Sequence, residues 1–242
     1  MAFLSARSRS FCAVVGRNGS TFACALLVLV VLLGAALERS LPLVVWLLSF
    51  WHYYLFWLAF AFGTAPFDIF MRDAAVMKTV SVAALAAVYL AAPLDFVSLA
   101  VIAGGILLNV RAAAVLGIDR TYYGHEVAGL PRTRVTAFPY SLMAHPMIVG
   151  NVAAFGGTLI NPAFAEQWWP LVCLHVALNI GLLVMELAGR GRAVRIGGGL
   201  VFTGVLVAAI LATLPGALLG AATVACAWAL YRCYAQTVRR AS

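Results

Sequence analysis

Three side chains able to carry protons sit close together in an otherwise apolar chain. His125, Glu126 and His145 all lie in the stretch Thr121–Asn151, TYYGHEVAGLPRTRVTAFPYSLMAHPMIVGN. The same stretch holds three prolines and two clusters of aromatic and polar residues. A general base works best when it titrates near the working pH, which makes His145 the first candidate and Glu126 the second. His145 also has a structural reading, as a ring that caps the helix after it. A fourth group, Glu186, follows His145 by 41 residues and is trailed by Arg190, Arg192 and Arg195. Its plain alternative is a salt bridge to Arg190, four residues on.

The elements that must position these groups are apolar. Hydrophobic residues make up 64% of the chain and charged residues 10%, with a mean hydropathy of +1.02. A soluble domain carries roughly 25% charged residues. The apolar runs are continuous, whereas barrel strands alternate. The expected fold is therefore all-α, a multi-pass transmembrane bundle. At about 20 residues per crossing, there is room for about eight helices. They are expected at Thr21–Leu37, Leu41–Gly63, Thr79–Ala92, Phe96–Gly117, Pro146–Ile160, Trp168–Glu186, Ile196–Leu214 and Gly216–Tyr231. Thr64–Lys78 reads as a polar loop and Asn161–Gln167 as a turn. The paired Trp168 and Trp169 read as an interface anchor. His52 reads as a satisfied core histidine. His175 and Asn179, four apart on one helix face, read as packing or hydrogen bonding to a neighbouring helix. Arg111 can snorkel to headgroups or touch a phosphate or carboxylate.

The net charge of +8 is spread in small groups between apolar runs, a topology signal rather than a nucleic-acid one. With the N-terminus in the cytoplasm and alternating crossings, 15 of the 16 basic residues fall inside, leaving only Arg39 outside. Both termini are then cytoplasmic. The loop at 118–145 and the end of the sixth crossing share that face. The hairpin formed by the fifth and sixth crossings brings His145 and Glu186 to one membrane face. Residues 1–20, with three arginines and no acid, read as a cytoplasmic tail or as an organelle transit peptide. The expected division is a basic tail at 1–20, two accessory helices at 21–75, a core at 76–195, and a C-terminal hairpin with a basic tail at 196–242. The five cysteines show no metal-ligand spacing, and no metal is expected.

The run RVTAFPYSLMAHPMIVGN at Arg134–Asn151, preceded by TYYG at Thr121–Gly124, resembles the phospholipid N-methyltransferases. These integral membrane enzymes methylate phosphatidylethanolamine and its mono- and dimethyl forms toward phosphatidylcholine. Their wider superfamily includes the isoprenylcysteine carboxyl methyltransferases. The resemblance covers about Ser98 to Arg190. The family places a glutamate, often a pair, at the end of the following hairpin; here Glu186 fills that place and Met185 stands where the first of a pair would be. The chain differs in adding two helices before and two after a four-helix core, and in lacking a tyrosine-rich tail after the glutamate.

The resemblance implies S-adenosyl-L-methionine as methyl donor and a membrane phospholipid as acceptor. It implies that Tyr123, Gly124, His145, Pro146, Gly150 and Glu186 enclose the cofactor. Gly124 and Gly150 would let backbone approach it closely. Arg134, Tyr140 and Arg190 would hold the lipid, with the arginines facing a carboxylate or phosphate. The expected location is the endoplasmic reticulum or a bacterial cytoplasmic membrane. Two rivals stay open: a methyltransferase with another lipophilic acceptor, such as a prenylcysteine carboxylate, and a non-catalytic membrane scaffold or transporter. A transporter would gather its polar residues mid-membrane.

Overall fold

The structure, a computed structural model, describes residues 21, 23–34, 36, 41–62, 67–188, 191, 196–201, 203, 204 and 207. The basic N-terminal tail, Arg190, Arg192, Arg195, most of the expected seventh crossing and all of the eighth lie outside the described residues. Every regular element among the described residues is helical. They are α1 (Ala23–Gly34), α2 (Leu41–Ser49), α3 (Trp51–Phe62), α4 (Phe67–Ala91), α5 (Phe96–Leu116), α6 (Ile118–Thr121), α7 (Gly124–Ala128), α8 (Pro146–Gly157) and α9 (Pro162–Ala188). A 3-10 turn at Thr158–Ile160 ends α8. Among the described residues four stretches are long and apolar enough to cross a membrane: Val44–Ala61, α4, α5 and α9.

The chain divides into two compact units, residues 1–81 with 195–242, and residues 82–194. In the first unit the apolar run at 41–62 is two helices that meet at Phe50. Leu55, Leu58 and Phe60 are among its buried residues. His52 is buried too, its ring 3.9 Å from that of Tyr53. The polar loop expected at Thr64–Lys78 is not a loop from Phe67 onward; α4 starts there and runs for 25 residues. Two of its charges, Arg72 and Asp73, are met within the first unit. Thr21 donates to the buried Asp73 at 2.7 Å, and Arg72 donates to Thr21 and pairs with Asp73 at 3.6 Å. A helix can carry an acid near its start when another element supplies the donor, and composition alone does not reveal that donor.

In the second unit α5 begins where Asp95 caps it, its carboxylate accepting from the Ser98 amide at 2.7 Å. The buried face of α5 is Ser98, Gly105 and Ala112, spaced by seven. It packs antiparallel on α8 with backbones in contact. A Cβ on Gly105 would stand 2.5 Å from the Ala154 amide nitrogen, and one on Gly157 would stand 3.0 Å from Val101. Close backbone approach of this kind is how apolar helices associate in lipid.

The fifth expected element keeps its bounds: α8 with its 3-10 turn spans Pro146–Ile160, about 24 Å of rise, less than a hydrocarbon core of about 30 Å. The turn after it needs correction, because it is not Asn161–Gln167. Asn161 alone turns the chain, and α9 starts at Pro162. Asn161 is a good N-cap and proline suits the first helical position; the Phe164 amide donates to the Asn161 side chain at 3.4 Å. Trp168 and Trp169 therefore sit inside α9 on different faces. Trp168 is buried against Phe164 and Trp169 is exposed, so they do not act as a pair.

Candidate active site

The loop between α5 and α8 holds its own shape. The His125 ring spans it, with Nδ1 2.6 Å from the Leu130 carbonyl and Nε2 accepting from Arg132 Nε at 2.7 Å. The ring is therefore protonated at Nδ1, which donates to Leu130. Arg120 donates to Thr133 at 2.8 Å across the same loop. These bonds give His125 a structural task. Tyr123 takes the left-handed backbone conformation, φ 61°, at the start of α7, an uncommon choice for a residue with a side chain.

The two glycines expected to lie at the cofactor, Gly124 and Gly150, pack against this chain's own atoms on the side where a Cβ would stand. A Cβ on Gly124 would meet the Asp119 carbonyl at 2.7 Å and Leu130 at 2.6 Å. One on Gly150 would meet the Gly105 carbonyl at 2.7 Å and the Asn109 amide at 3.0 Å. Their missing side chains serve loop packing and helix packing. A glycine looks the same in sequence whether it makes room for a ligand or for a neighbour.

The helices α8 and α9 run antiparallel in a fixed register. Asn151 donates to Asn179 at 2.9 Å, and the Phe155 ring stacks on that of His175 at 4.4 Å, with 8° between the planes. This accounts for His175 and Asn179 as packing residues. Four residues back along α8 correspond to four forward along α9, so the register carries on until His145 stands opposite Met185. Glu186, half-buried in the last turn of α9, is one residue further.

Five of the residues picked from the sequence meet there. Glu186 lies within electrostatic reach of the His145 ring and the Glu126 carboxylate. It also reaches the hydroxyls of Tyr123 and Tyr140. Burial pushes the Tyr123 hydroxyl far above the usual tyrosine range, and the Glu186 and Glu126 charges push the same way. Burial and the Glu186 charge also raise Tyr140. Both phenols therefore stay protonated, as hydrogen-bond donors, at any physiological pH. Pro146 is buried as the first residue of α8. His145 occupies the capping position, but its side chain makes no capping hydrogen bond. The ring thus makes no capping bond, and it lies within electrostatic reach of Glu186. Arg134 is exposed on the loop. Arg190 lies outside the described residues, so its pairing with Glu186 has no counterpart here.

Among the described residues no group of three or more His, Cys, Asp or Glu could hold a metal ion. Two carboxylates, an imidazole and two phenols suit a polar organic cation with hydroxyls better than an anion. Asn109, which the sequence places near one membrane face without a role, donates through its amide to Asn151 at 2.8 Å and to the Met147 carbonyl at 3.1 Å. Its only signal was a polar residue in an apolar helix.

A polar site at one end of a bundle of apolar helices defines a membrane-associated class of protein. Residues 94–188 match the model of the phospholipid methyltransferase family, the family that the motifs resemble. The match begins at the turn before α5 and ends with α9, so it takes in the whole convergence around Glu186. No curated protein and no solved structure matches the chain.

Proposed function

We propose that this protein is a multi-pass membrane enzyme that transfers methyl groups from S-adenosyl-L-methionine to the amine of phosphatidylethanolamine or its mono- and dimethyl forms. The core is residues 76–195, in a bundle of about eight helices with both termini cytoplasmic, in a bacterial cytoplasmic membrane or the endoplasmic reticulum. The observation that carries this reading is the convergence of Tyr123, Glu126, Tyr140 and His145 on Glu186 within the matched segment.

The cofactor supplies a methyl carbon activated by a sulfonium. The donor set fits its polar ends: Glu186 can accept from its amino group or ribose hydroxyls, and the protonated Tyr123 and Tyr140 can donate. A lipid amine is mostly protonated in water, so it must lose a proton before its lone pair can bond to carbon. His145 takes that proton, with Glu126 as the second base. Negative charge from Glu126 and Glu186 stabilises the imidazolium that results and draws in a cationic headgroup. A carboxylate acceptor would meet those charges with the wrong sign, which favours an amine over a prenylcysteine carboxylate. Arg134, exposed on the loop, would meet the lipid phosphate. The transporter reading loses support because His175 and Asn179, polar and mid-helix, are used in packing.

The test is label transfer. Membranes holding the protein and labelled methyl donor should yield labelled mono-, di- or trimethylated phosphatidylethanolamine on thin-layer separation. Label in another lipid would reject the acceptor, and no label at all would reject the activity. Full activity in the double variant His145→Ala with Glu186→Ala would reject the site.

A further inference from the structure

Three asparagines, one each from α5, α8 and α9, are hydrogen bonded head to tail. Asn109 donates to Asn151 at 2.8 Å, Asn151 to Asn179 at 2.9 Å, and Asn179 to the His175 carbonyl at 2.9 Å. Asn109 donates as well to the carbonyl of Met147, the second residue of α8. Each amide has its carbonyl on one side and its amino group on the other. A chain of them is satisfied only when all three helices hold one height and one rotation. The glycine and alanine contacts between α5 and α8 lack that directionality, because dispersion contacts survive a small slide. A slip of one residue along α8 would shift His145 by about 1.5 Å and turn it by about 100°.

We infer that Asn109, Asn151 and Asn179 are positioning residues that pin the register of α8 and so hold His145 across from Glu186. The bond from Asn109 to Met147 acts closest to the site, two residues from His145. The inference rests on the methyltransferase reading for its effect on rate, but not for its effect on the helix.

The experiment uses the full chain in phosphatidylethanolamine vesicles, with three variants. Asn151→Leu keeps the branching and heavy-atom count of the side chain and removes both bonds. Asn151→Asp, protonated inside an apolar bundle, keeps one acceptor and one donor. Asn109→Ala removes only the bonds from α5 and serves if Asn151→Leu does not fold. Asn151→Leu should lower kcat by about tenfold to a hundredfold, as a misplacement of about 1 Å does. KM for lipid and for methyl donor should stay within about twofold, and Asn151→Asp should recover most of kcat. Independently of activity, hydrogen exchange at the amides of Val149 to Val152 should quicken by about tenfold in Asn151→Leu and in Asn109→Ala. Wild-type kcat in folded Asn151→Leu would overturn the inference. So would unchanged exchange, or activity lost only in proportion to folded protein. If the wild-type chain transfers no methyl groups, the methyltransferase reading fails on that result, while the exchange measurement still decides the pin.

Discussion

The two ends of the second unit use the same helices and treat polar groups in opposite ways. At the end near the α4–α5 turn three neutral side chains, Tyr89, Ser98 and Asn161, are paired within the chain. Tyr89 donates to Ser98, Ser98 to the Gly157 carbonyl, both at 2.7 Å, and Asn161 to the Pro93 carbonyl at 2.8 Å. At the other end stand two carboxylates, an imidazole without a capping bond and two phenols that burial keeps protonated. The first end resembles a knot: its groups satisfy one another and leave nothing for a ligand. The second gathers like charges, Glu126 beside Glu186, which cost energy unless something cationic arrives. On the proposed reading, stability belongs to one end and chemistry to the other.

Substitutions can break this contrast. The largest effect is expected at Glu186. Glu186→Ala should lower methyl transfer by more than about a hundredfold, because it removes the charge on which the other groups converge. A rate near wild type would place the chemistry elsewhere. His145→Ala should cost about a hundredfold or more, the usual range for a general base. Raising the pH should recover part of that loss, since a larger share of the lipid amine is then already neutral; a flat response would argue against His145 as the base.

Gly150→Ala should act on folding before chemistry. The new methyl would stand 2.7 Å from a backbone carbonyl of α5, and backbone yields less readily than a side-chain tip. A loss of about 1–3 kcal/mol is expected, seen as a lower melting temperature in detergent. Unchanged stability would show that α5 and α8 can separate freely. At the knotted end Ser98→Ala should cost about 1 kcal/mol and leave kcat and KM alone. A change in kcat there would erase the distinction between the ends.

The smallest effect concerns Tyr123. Its neutral form is favoured in the folded chain, while an unfolded tyrosine ionises near its ordinary value of about 10. The stability this gives is complete below that pH and is lost as the pH climbs above it. Tyr123→Phe should therefore flatten the alkaline fall in stability, measured by thermal melts from neutral to strongly alkaline pH. An unaltered slope would show that its hydroxyl is not buried.

Much of the site was legible because it depended on spacing. The distance from His145 to Glu186 fits one helix out and one back whatever the exact ends, so a short α8 and an early start of α9 did not disturb it. The start of α5 was legible because proline and aspartate mark it locally. The start of α4 was not, since Asp73 finds its donor in Thr21, 52 residues away. Nor was the packing at Gly124 and Gly150, because only the surrounding backbone shows what stands where a side chain is missing. The asparagine chain stayed hidden for the same reason: Asn109, Asn151 and Asn179 have no spacing in common, only a meeting place.

The short α8 has a further consequence. A helix and turn of about 24 Å cannot match the thickness of an average bilayer. Where such a hairpin lies across a bilayer, the lipid around it thins or the flanking residues snorkel to the interface. Such mismatch costs fractions of a kcal/mol per Å, enough to sort proteins between membranes of different thickness. Acyl-chain length thus becomes a variable of this protein's environment, separate from the headgroup. Short-chain lipids should fit the hairpin best and long saturated chains should strain it.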